Sequence, residues 1–271
     1  MSQRPVLIQF CDVPDRFIPG DRLVRGVIRK AIGRSDKHLS GVRRVVRNFL
    51  IGLERKGIPY RYNPLPFRRN NRPLISFGQG EMGLRGVSSG TPLIAAVSFP
   101  HPKDFPELSE QYDLRYFLQH SQWGLDLVRS GNIYNASVFG LWPAGVDTDE
   151  WSPAGVDKTL DIIVYVKIHW DKKSWSKRLV DLIINSLVSR GLVVTRIVYG
   201  EYEPGEYKHL LSIAKAMVFL SPHESQGFAC IEAMSSGVPI FAWDPGFWLD
   251  PDQERLGLSQ VPATSVPFFD E

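Results

Sequence analysis

The sequence has little of what marks disulfide-rich, metal-binding or membrane-spanning proteins. It has two cysteines, Cys11 and Cys230, too few for a disulfide framework and without metal-ligand spacing. The longest apolar runs, such as residues 91–99, are strand-sized and too short to cross a bilayer. The first ten residues enter a strand pattern directly, without signal-peptide architecture. We therefore expect a cytoplasmic protein that needs no metal ion and no cofactor.

The composition excludes a disordered or collagen-like chain and favours a soluble globular protein. Hydrophobic residues make up 43% of the chain and charged residues 23%, which are ordinary proportions for packed domains. No period of 20 to 50 residues repeats, which argues against a solenoid. The 271 residues suffice for one large domain or for two domains of about 120 to 150 residues, each with its own core.

Positive charge is concentrated in the first third of the chain. The net charge is only +3, yet residues 16–73 hold 16 Lys and Arg against three acidic residues. Such a segment attracts anionic partners, such as phosphorylated acceptors, lipid headgroups or nucleic acid. Peripheral contact with an anionic surface is one reading of this segment, and a solvated helix face with its neighbouring loops is the other.

The second half alternates regularly between apolar strands and helices. Strands are predicted at 161–168, 192–200, 217–221 and 238–243, and helices at 174–190, 206–216 and 227–237. This alternation is typical of a parallel, doubly wound sheet. The strands are apolar throughout, as expected where helices cover both faces. A Rossmann-like domain is therefore predicted here.

The first half predicts a second, less regular domain of the same kind. Its clearest helix covers residues 40–57, where apolar residues form one stripe. Strands are predicted at 5–10, 58–65, 72–78, 91–100 and 135–147, and a further helix at 108–131. Residues 143–159 are rich in Pro, Gly and Asp without periodicity, which indicates the linker. The domains are therefore placed at 1–150 and 151–271.

The stretch 220–244 holds the most specific chemical signal. It reads as a strand end, a tight loop, a helix and another strand. The loop faces the crevice at the carboxyl end of the sheet, where ligands of open parallel sheets bind. The exposed N–H groups of Gly227, Phe228 and Ala229 would accept a diphosphate, helped by the helix dipole. Glu232 would then reach ribose hydroxyls, and Glu224 would face the leaving group or the sugar. The competing interpretation is two solvated glutamates near an ordinary helix start.

The segment HESQGFACIEAMSSGVPIFAWD resembles the Glu-x7-Glu segment of retaining GT-B glycosyltransferases, which use a nucleotide-diphospho-sugar donor. The order of other segments is similar too: 40–57 resembles the first long helix of the acceptor domain, and WPAGVDTDEWSP resembles the interdomain stretch. The resemblance implies two Rossmann-like domains whose parallel sheets face each other across a cleft. Residues 1–150 would be the acceptor side and residues 151–271 the donor-binding side. The chain would be a compact version without much of the usual C-terminal helical extension.

The resemblance also implies roles for individual residues. Glu224 would contact the transferred sugar, Glu232 the ribose, and the amides of the Gly227 turn the diphosphate. The Gly-Arg and Lys-Gly pattern of the family is absent after strand 161–168, so Lys167 is predicted to neutralise phosphate, with Lys172 and Lys173 as alternatives. His101 would be the acceptor-domain histidine near the sugar, and Gly41 would lie near the phosphates. Tyr199 and Gly200 would line the base.

The predicted function is transfer of a sugar, of the hexosyl kind, from a nucleotide-diphospho-sugar to an acceptor hydroxyl, with retention. The acceptor, which the sequence does not identify, would be a glycan, a lipid-linked molecule or a nucleic acid. Two alternatives stay open. One is a non-catalytic nucleotide- or sugar-binding protein of the same fold, and the other a nucleic-acid-directed protein that binds or glycosylates bases through the basic segment 16–73.

Overall fold

The structure is a computed structural model, and it describes residues 4–11, 41–64, 72–78, 80–255 and 257–267. Two parts of the basic segment, residues 16–40 and 65–71, lie outside the described residues. The chain divides into two compact units, Met1–Gly145 and Val146–Glu271. The predicted α/β class with parallel sheets is confirmed, since each unit holds one parallel sheet. The arrangement of the two sheets across a cleft stays a prediction.

The first unit contains a six-stranded sheet with the order β2-β1-β3-β4-β5-β6. All of its strand pairs are parallel. The strands are β1 (Val6–Cys11), β2 (Tyr60–Tyr62), β3 (Leu74–Gly78), β4 (Pro92–Ala95), β5 (Asp113–Gln119) and β6 (Phe139–Leu141). Its helices are α1 (Gly41–Arg55), α2 (Leu108–Gln111) and α3 (Gln122–Arg129).

Helix α1 forms where the sequence predicts the clearest helix, and its apolar stripe packs on the sheet. Val45, Val46 and Leu53 are buried. The ring of Phe49 lies 5.9 Å from that of Phe77 on β3. A separate cluster, built on β4, β5 and α3, includes Leu93, Phe117 and Leu125. The first unit therefore has its own apolar core, as the chain length allows.

The prediction of a single helix over residues 108–131 is wrong. The segment contains the short helix α2, the strand β5 and then helix α3. The apolar residues Leu114, Phe117 and Leu118 fit a helical period, but the consecutive residues Tyr116 and Phe117 favour a strand, because aromatic side chains pack well on a pleated surface. Tertiary pairing of β5 with both β4 and β6 decides the outcome. Ser121 ends the strand segment and caps α3 by accepting the N–H of Gly124.

The second unit contains a four-stranded parallel sheet with the order β10-β9-β7-β8. Its strands are β7 (Leu160–Val166), β8 (Val194–Val198), β9 (Ala214–Leu220) and β10 (Ile240–Trp243). Its helices are α4 (Lys172–Trp175), α5 (Asp181–Val188), α6 (Pro204–Ile213), α7 (Phe228–Ser235) and α8 (Asp252–Arg255). A π-helical turn, Ser176–Val180, joins α4 to α5.

Helices cover both faces of this sheet, because the side chains of β7 alternate between two apolar clusters. Ile163 and Tyr165 pack with residues of α6 and α7. Val164 and Val166 pack on the opposite face with residues of α5. This is the packing of a doubly wound sheet, and it explains why the strands are apolar throughout.

The strand order reverses beside β7. From β7 the chain moves outward to β8 on one side, and then to β9 and β10 on the other. In open parallel sheets, ligands bind at the carboxyl ends of the strands where the order reverses, because the connections leave a crevice there. The ends of β7 and β9 are therefore the place in this unit to look for a site.

After β10 the chain makes an excursion and returns to the end of β9. Phe247 and Pro262 form an antiparallel bridge, and the N–H of Trp248 donates to Val261 at 2.8 Å. The four-residue helix α8 lies within this excursion. Residues 244–255 and 257–267 therefore hold more regular contacts than their sequence indicates. Among the described residues, no helix is both long enough and apolar enough to cross a membrane.

Candidate functional site

Lys167 and Glu224 form an ion pair at the point where the strand order reverses. Lys167 directly follows β7, and its N–H donates to the carbonyl of Leu220, the last residue of β9, at 2.8 Å. Glu224 lies four residues after β9, and its Oε2 contacts Nζ of Lys167. The side chains are 21% and 6% exposed, respectively. The parallel topology thus brings together two charged residues that are 57 positions apart.

The carboxyl group of Glu224 is buried, and its surroundings favour the charged form. Burial alone would raise its pKa, but the charge and hydrogen bond of Lys167 outweigh that effect, with help from the N–H groups of Gly227 and Ser225. The pKa of Glu224 therefore lies below its ordinary value. The N–H of Ser225 is 3.1 Å from Oε1, and the N–H of Glu224 itself donates to Thr264 at 2.9 Å. A carboxylate with three donors is an ordered anion, fixed in position before any ligand arrives.

Helix α7 begins beside this carboxylate. Gly227 is its N-cap residue and has a left-handed backbone, with φ 61° and ψ 31°. A residue with a side chain adopts this conformation only at a cost, which explains the glycine. The N–H of Gly227 donates to Glu224, and the contacts of Gly227, Phe228 and Ala229 with a diphosphate stay a prediction. The first N–H groups of an α-helix have no acceptor within the helix.

We expect Gly227→Ala to lower the free energy of unfolding by about 1–2 kcal/mol, the cost of a left-handed backbone in a residue with a Cβ. Gly205→Ala is the matched control in the same unit. Gly205 lies in α6 without a positive φ, and a Cβ there meets nothing within 4 Å, so alanine is neutral or stabilises by up to about 1 kcal/mol. Urea unfolding of both variants measures the difference. Equal stability of the two variants would contradict the assignment of Gly227.

Glu232 lies on α7 in an apolar environment. It is 3% exposed, and its neighbours Cys230 and Ala233 belong to the main core of the unit. Fully buried glutamates are rare in proteins. The two glutamates of the Glu-x7-Glu pattern are thus both buried, and Glu224 has Lys167 as its counter-ion.

Tyr199 joins the pair from the neighbouring strand. It directly follows β8, its side chain is 44% exposed, and its ring lies 5.0 Å from Nζ of Lys167. The ring of His169 meets it edge-on, with centroids 5.5 Å apart. Gly200, which follows, has φ 83° and turns the chain away. The structure therefore places Tyr199 beside the ion pair, whereas the side chain of Lys172 lies outside the described residues.

The two predicted residues of the first unit have local structural contacts. Nδ1 of His101 accepts the N–H of Lys103 at 3.2 Å, which caps the 3-10 turn Pro102–Asp104. Its Nε2 lies 3.4 Å from the carbonyl of Leu127. These contacts are those of a capping residue, and the role of His101 near a sugar stays a prediction. Gly41 is the first residue of α1, and its predicted role beside the phosphates stays a prediction as well.

The sequence interpretation missed His223, the residue next to Glu224, and the two tryptophans that contact it. His223 immediately precedes Glu224 and stacks on Trp170, with ring centroids 5.7 Å apart and planes 21° apart. Trp248 meets the same imidazole at 6.2 Å and 78°. Trp170 and His223 could have been found from their positions in the sequence, because Trp170 follows β7 within four residues and His223 follows β9 within three. Trp248, from the later excursion, had no such signal.

The expectation that no metal ion is needed rests on there being no Asp-x-Asp pattern or His/Cys cluster in the sequence. Asp147 and Asp149 do make an Asp-x-Asp pattern, so that part of the reasoning is wrong. Oδ1 of Asp147 accepts the N–H groups of Asp149 and Glu150 at 3.1 and 3.4 Å, which is the geometry of a turn cap. Within the part of the chain that the structure describes, no three His, Cys, Asp or Glu residues come together in a potential metal site.

Comparison with known proteins gives one family match. Residues 176–250 match the family model described as "Glycosyl transferases group 1", a little over a quarter of the chain. The match includes Glu224, Gly227 and Glu232 but stops short of Lys167. It supports glycosyl transfer as the general class of activity.

No curated protein matches the sequence. Nine chains of solved structures match, among them sucrose-phosphate synthase from Thermosynechococcus elongatus. That similarity has 14% identity and a TM-score of 0.37, and it covers 85% of this chain and 63% of the other. The chain thus spans less than two thirds of the length of that structure.

Proposed function

We propose that the chain is a glycosyltransferase whose second unit binds a nucleotide-diphospho-sugar and whose first unit serves the acceptor. The observation that carries the proposal is the buried pair of Lys167 and Glu224 at the end of the two strands where the order reverses. The family match over 176–250 supports the reaction class.

The buried ion pair is poorly explained by stability alone. Taking two charges out of water is costly, and apolar residues of similar volume would often serve a core equally well. Groups whose pKa is displaced by burial and by a specific charged partner are concentrated at functional sites. The pair lies in the crevice position that ligands of doubly wound sheets occupy. A ligand that carries both negative charge and hydroxyl groups suits a site with one cation and one anion.

A diphosphate matches the cationic part of this site. Lys167 supplies a positive charge, and the start of α7 supplies backbone N–H groups at Phe228 and Ala229 together with the helix dipole. In glycosyl transfer, the bond from the anomeric carbon to the diphosphate oxygen breaks, so negative charge grows on that oxygen. Fixed donors that stabilise growing charge usually provide the largest share of catalysis.

Each of the two glutamates would bind a different hydroxyl-bearing part of the donor. Glu224 is ordered by its three donors and would accept hydrogen bonds from hydroxyls of the transferred sugar. Glu232, which is further into α7, would accept from the ribose. Tyr199 presents an exposed ring beside Lys167, as a base-lining residue would, with Gly200 next to it. We extend the proposal to retention of configuration and a hexosyl donor, which follow from the resemblance to the Glu-x7-Glu enzymes.

The direct test is a thermal-shift panel with UDP-glucose, GDP-mannose, ADP-glucose and dTDP-glucose. A ligand that binds only the folded chain raises its melting temperature by mass action, equivalent to about 2.7 kcal/mol at 100 times the Kd. We expect one or two of the four compounds to raise the melting temperature by several degrees. The free nucleoside diphosphate of the same base should also give a shift, because it keeps the proposed contacts with Lys167 and α7.

Other outcomes would point to the alternatives. A flat panel would remove the donor site itself. A shift without any release of nucleoside diphosphate, with or without acceptors, would favour a non-catalytic binding protein. Binding of duplex DNA or RNA that weakens steeply with added salt would favour the nucleic-acid-directed reading.

A further inference from the structure

Three aromatic side chains from three separate segments meet at His223, the residue directly before Glu224. The imidazole of His223 stacks on Trp170 and meets Trp248 edge-on. Trp170 belongs to the segment that follows β7, His223 to the loop after β9, and Trp248 to the excursion after β10. We call these three residues the aromatic clamp.

Each of the three segments also contributes to the ion pair or its support. The segment after β7 carries Lys167, three residues before Trp170. The loop after β9 carries Glu224, directly after His223. The excursion that carries Trp248 ends at Thr264, whose carbonyl accepts the N–H of Glu224. The clamp therefore ties together, outside the sheet, the same segments whose relative position sets the contact between Lys167 and Glu224.

The sheet alone does not fix this contact. The last backbone hydrogen bond between the two segments runs from the N–H of Lys167 to Leu220, four residues before Glu224. Beyond that point the loop is held by its own turn, in which the hydroxyl of Ser221 donates to the carbonyl of His223 at 2.8 Å, and by the hydrogen bond from the N–H of Glu224 to Thr264. Aromatic pairs in these geometries stabilise beyond the area they bury, and two such contacts help to hold a short loop in one position.

We propose that His223 is a positioning residue, which through its ring contacts with Trp170 and Trp248 holds Glu224 against Lys167 in the geometry that the donor requires. The role in donor binding rests on the proposed function, whereas the positioning of the ion pair does not. His223 acts as a neutral ring, since burial lowers its pKa below the ordinary value. The charged groups around it oppose one another: Asp250 and Glu224 raise its pKa, and Lys167 and His169 lower it.

The test uses no nucleotide. The full chain is labelled with a trace of acetic anhydride, and acetylation rates of individual lysines are read by mass spectrometry. Lys167 reacts slowly in the native chain, because its ammonium group is held by a buried carboxylate and is only 21% exposed. In His223→Ala we expect its rate to rise about fivefold or more, as loss of the clamp frees the loop. In His223→Phe, which keeps a planar ring, the rate should stay within about twofold of the native rate.

Lys215 is the internal control. It pairs with Asp161 at 2.7 Å, but it lies at the start of β9 and Asp161 at the start of β7, the opposite end of the same strands. Its rate should be unchanged in both variants. A purely stabilising role of His223 would change the two lysines together, or neither of them. An unchanged Lys167 rate in folded His223→Ala would overturn the proposal, and so would a rise in His223→Phe as large as in His223→Ala.

A second variant keeps the test decisive if His223→Ala does not fold. Trp170 is only half-buried, so Trp170→Ala removes one side of the clamp at less cost to the core. The expectation is the same selective rise at Lys167, and an unchanged rate would overturn the proposal. The result is independent of the thermal-shift panel: a flat panel with a selective rise would reject the donor site and leave the positioning role in place.

Discussion

Replacing Lys167 by methionine is expected to lower the free energy of unfolding at pH 7 by about 3 kcal/mol, because it leaves the buried carboxylate of Glu224 without its counter-ion. The double variant Lys167→Met, Glu224→Gln should recover most of this loss, since no buried charge remains. A pair whose lysine is largely exposed behaves differently. Lys215→Met, which removes the 58% exposed partner of Asp161, should cost no more than about 1 kcal/mol. Urea unfolding of the full chain measures all three variants.

The pH dependence of the same variants tests the cause. The pKa of Glu224 is lowered in the folded chain, so its pairing stabilises the native chain above the ordinary pKa of 4.5 and this contribution is lost as pH falls through the folded value. In Lys167→Met, burial dominates and the carboxyl is easier to protonate. The stability deficit of Lys167→Met should therefore shrink as pH falls from 7 towards 4. A deficit that is constant with pH would show that lost packing of the lysine side chain, not its charge, is responsible.

Much of the fold of the second unit could be predicted because its signals are local and repeated. Apolar strands alternate with helices of ordinary length, and the glycine at 227 marks the start of α7. The first unit was predicted less well, because the apolar residues of β5 fit both the helical period and the strand period. Leu114 and Phe117 suit a helical stripe as well as a strand face, and only pairing with β4 and β6 decides between them. Such pairing is a long-range property that a window of sequence does not contain.

The residues of the candidate site also divide into those that local sequence indicates and those that only long-range contacts bring together. Glu224 and Glu232 were found from their spacing around a glycine-started helix, which is local information. Lys167 was selected because it ends a strand, and the structure adds its contact with Glu224, which depends on the parallel pairing of β7 with β9. The aromatic clamp could not be predicted, because Trp248 reaches His223 only through the irregular excursion after β10. Irregular segments carry little periodic signal, although they often carry function.

Replacing Glu224 by glutamine is expected to reduce donor turnover by about 100-fold to 1000-fold, the usual effect of removing one fixed group that stabilises a transition state. Glutamine keeps the size of the side chain but loses the charge that orders Lys167 and accepts sugar hydroxyls. The measurement is release of nucleoside diphosphate from whichever of the four nucleotide-sugars raises the melting temperature. Glu206→Gln, an exposed glutamate in α6, is the control and should retain native turnover.

Binding and turnover should separate in Glu224→Gln, and this separation is the sharper part of the prediction. Lys167 is paired with Glu224, so a diphosphate bound to Lys167 would compete with this carboxylate for the same ammonium group. Glutamine removes the competitor, and the affinity for free nucleoside diphosphate should therefore stay equal or rise, whereas Lys167→Met should weaken it at least tenfold. Unchanged turnover in Glu224→Gln would remove the glutamate from catalysis. Equal weakening of nucleoside diphosphate binding in both variants would instead make the intact pair, and not Lys167 alone, the binding group.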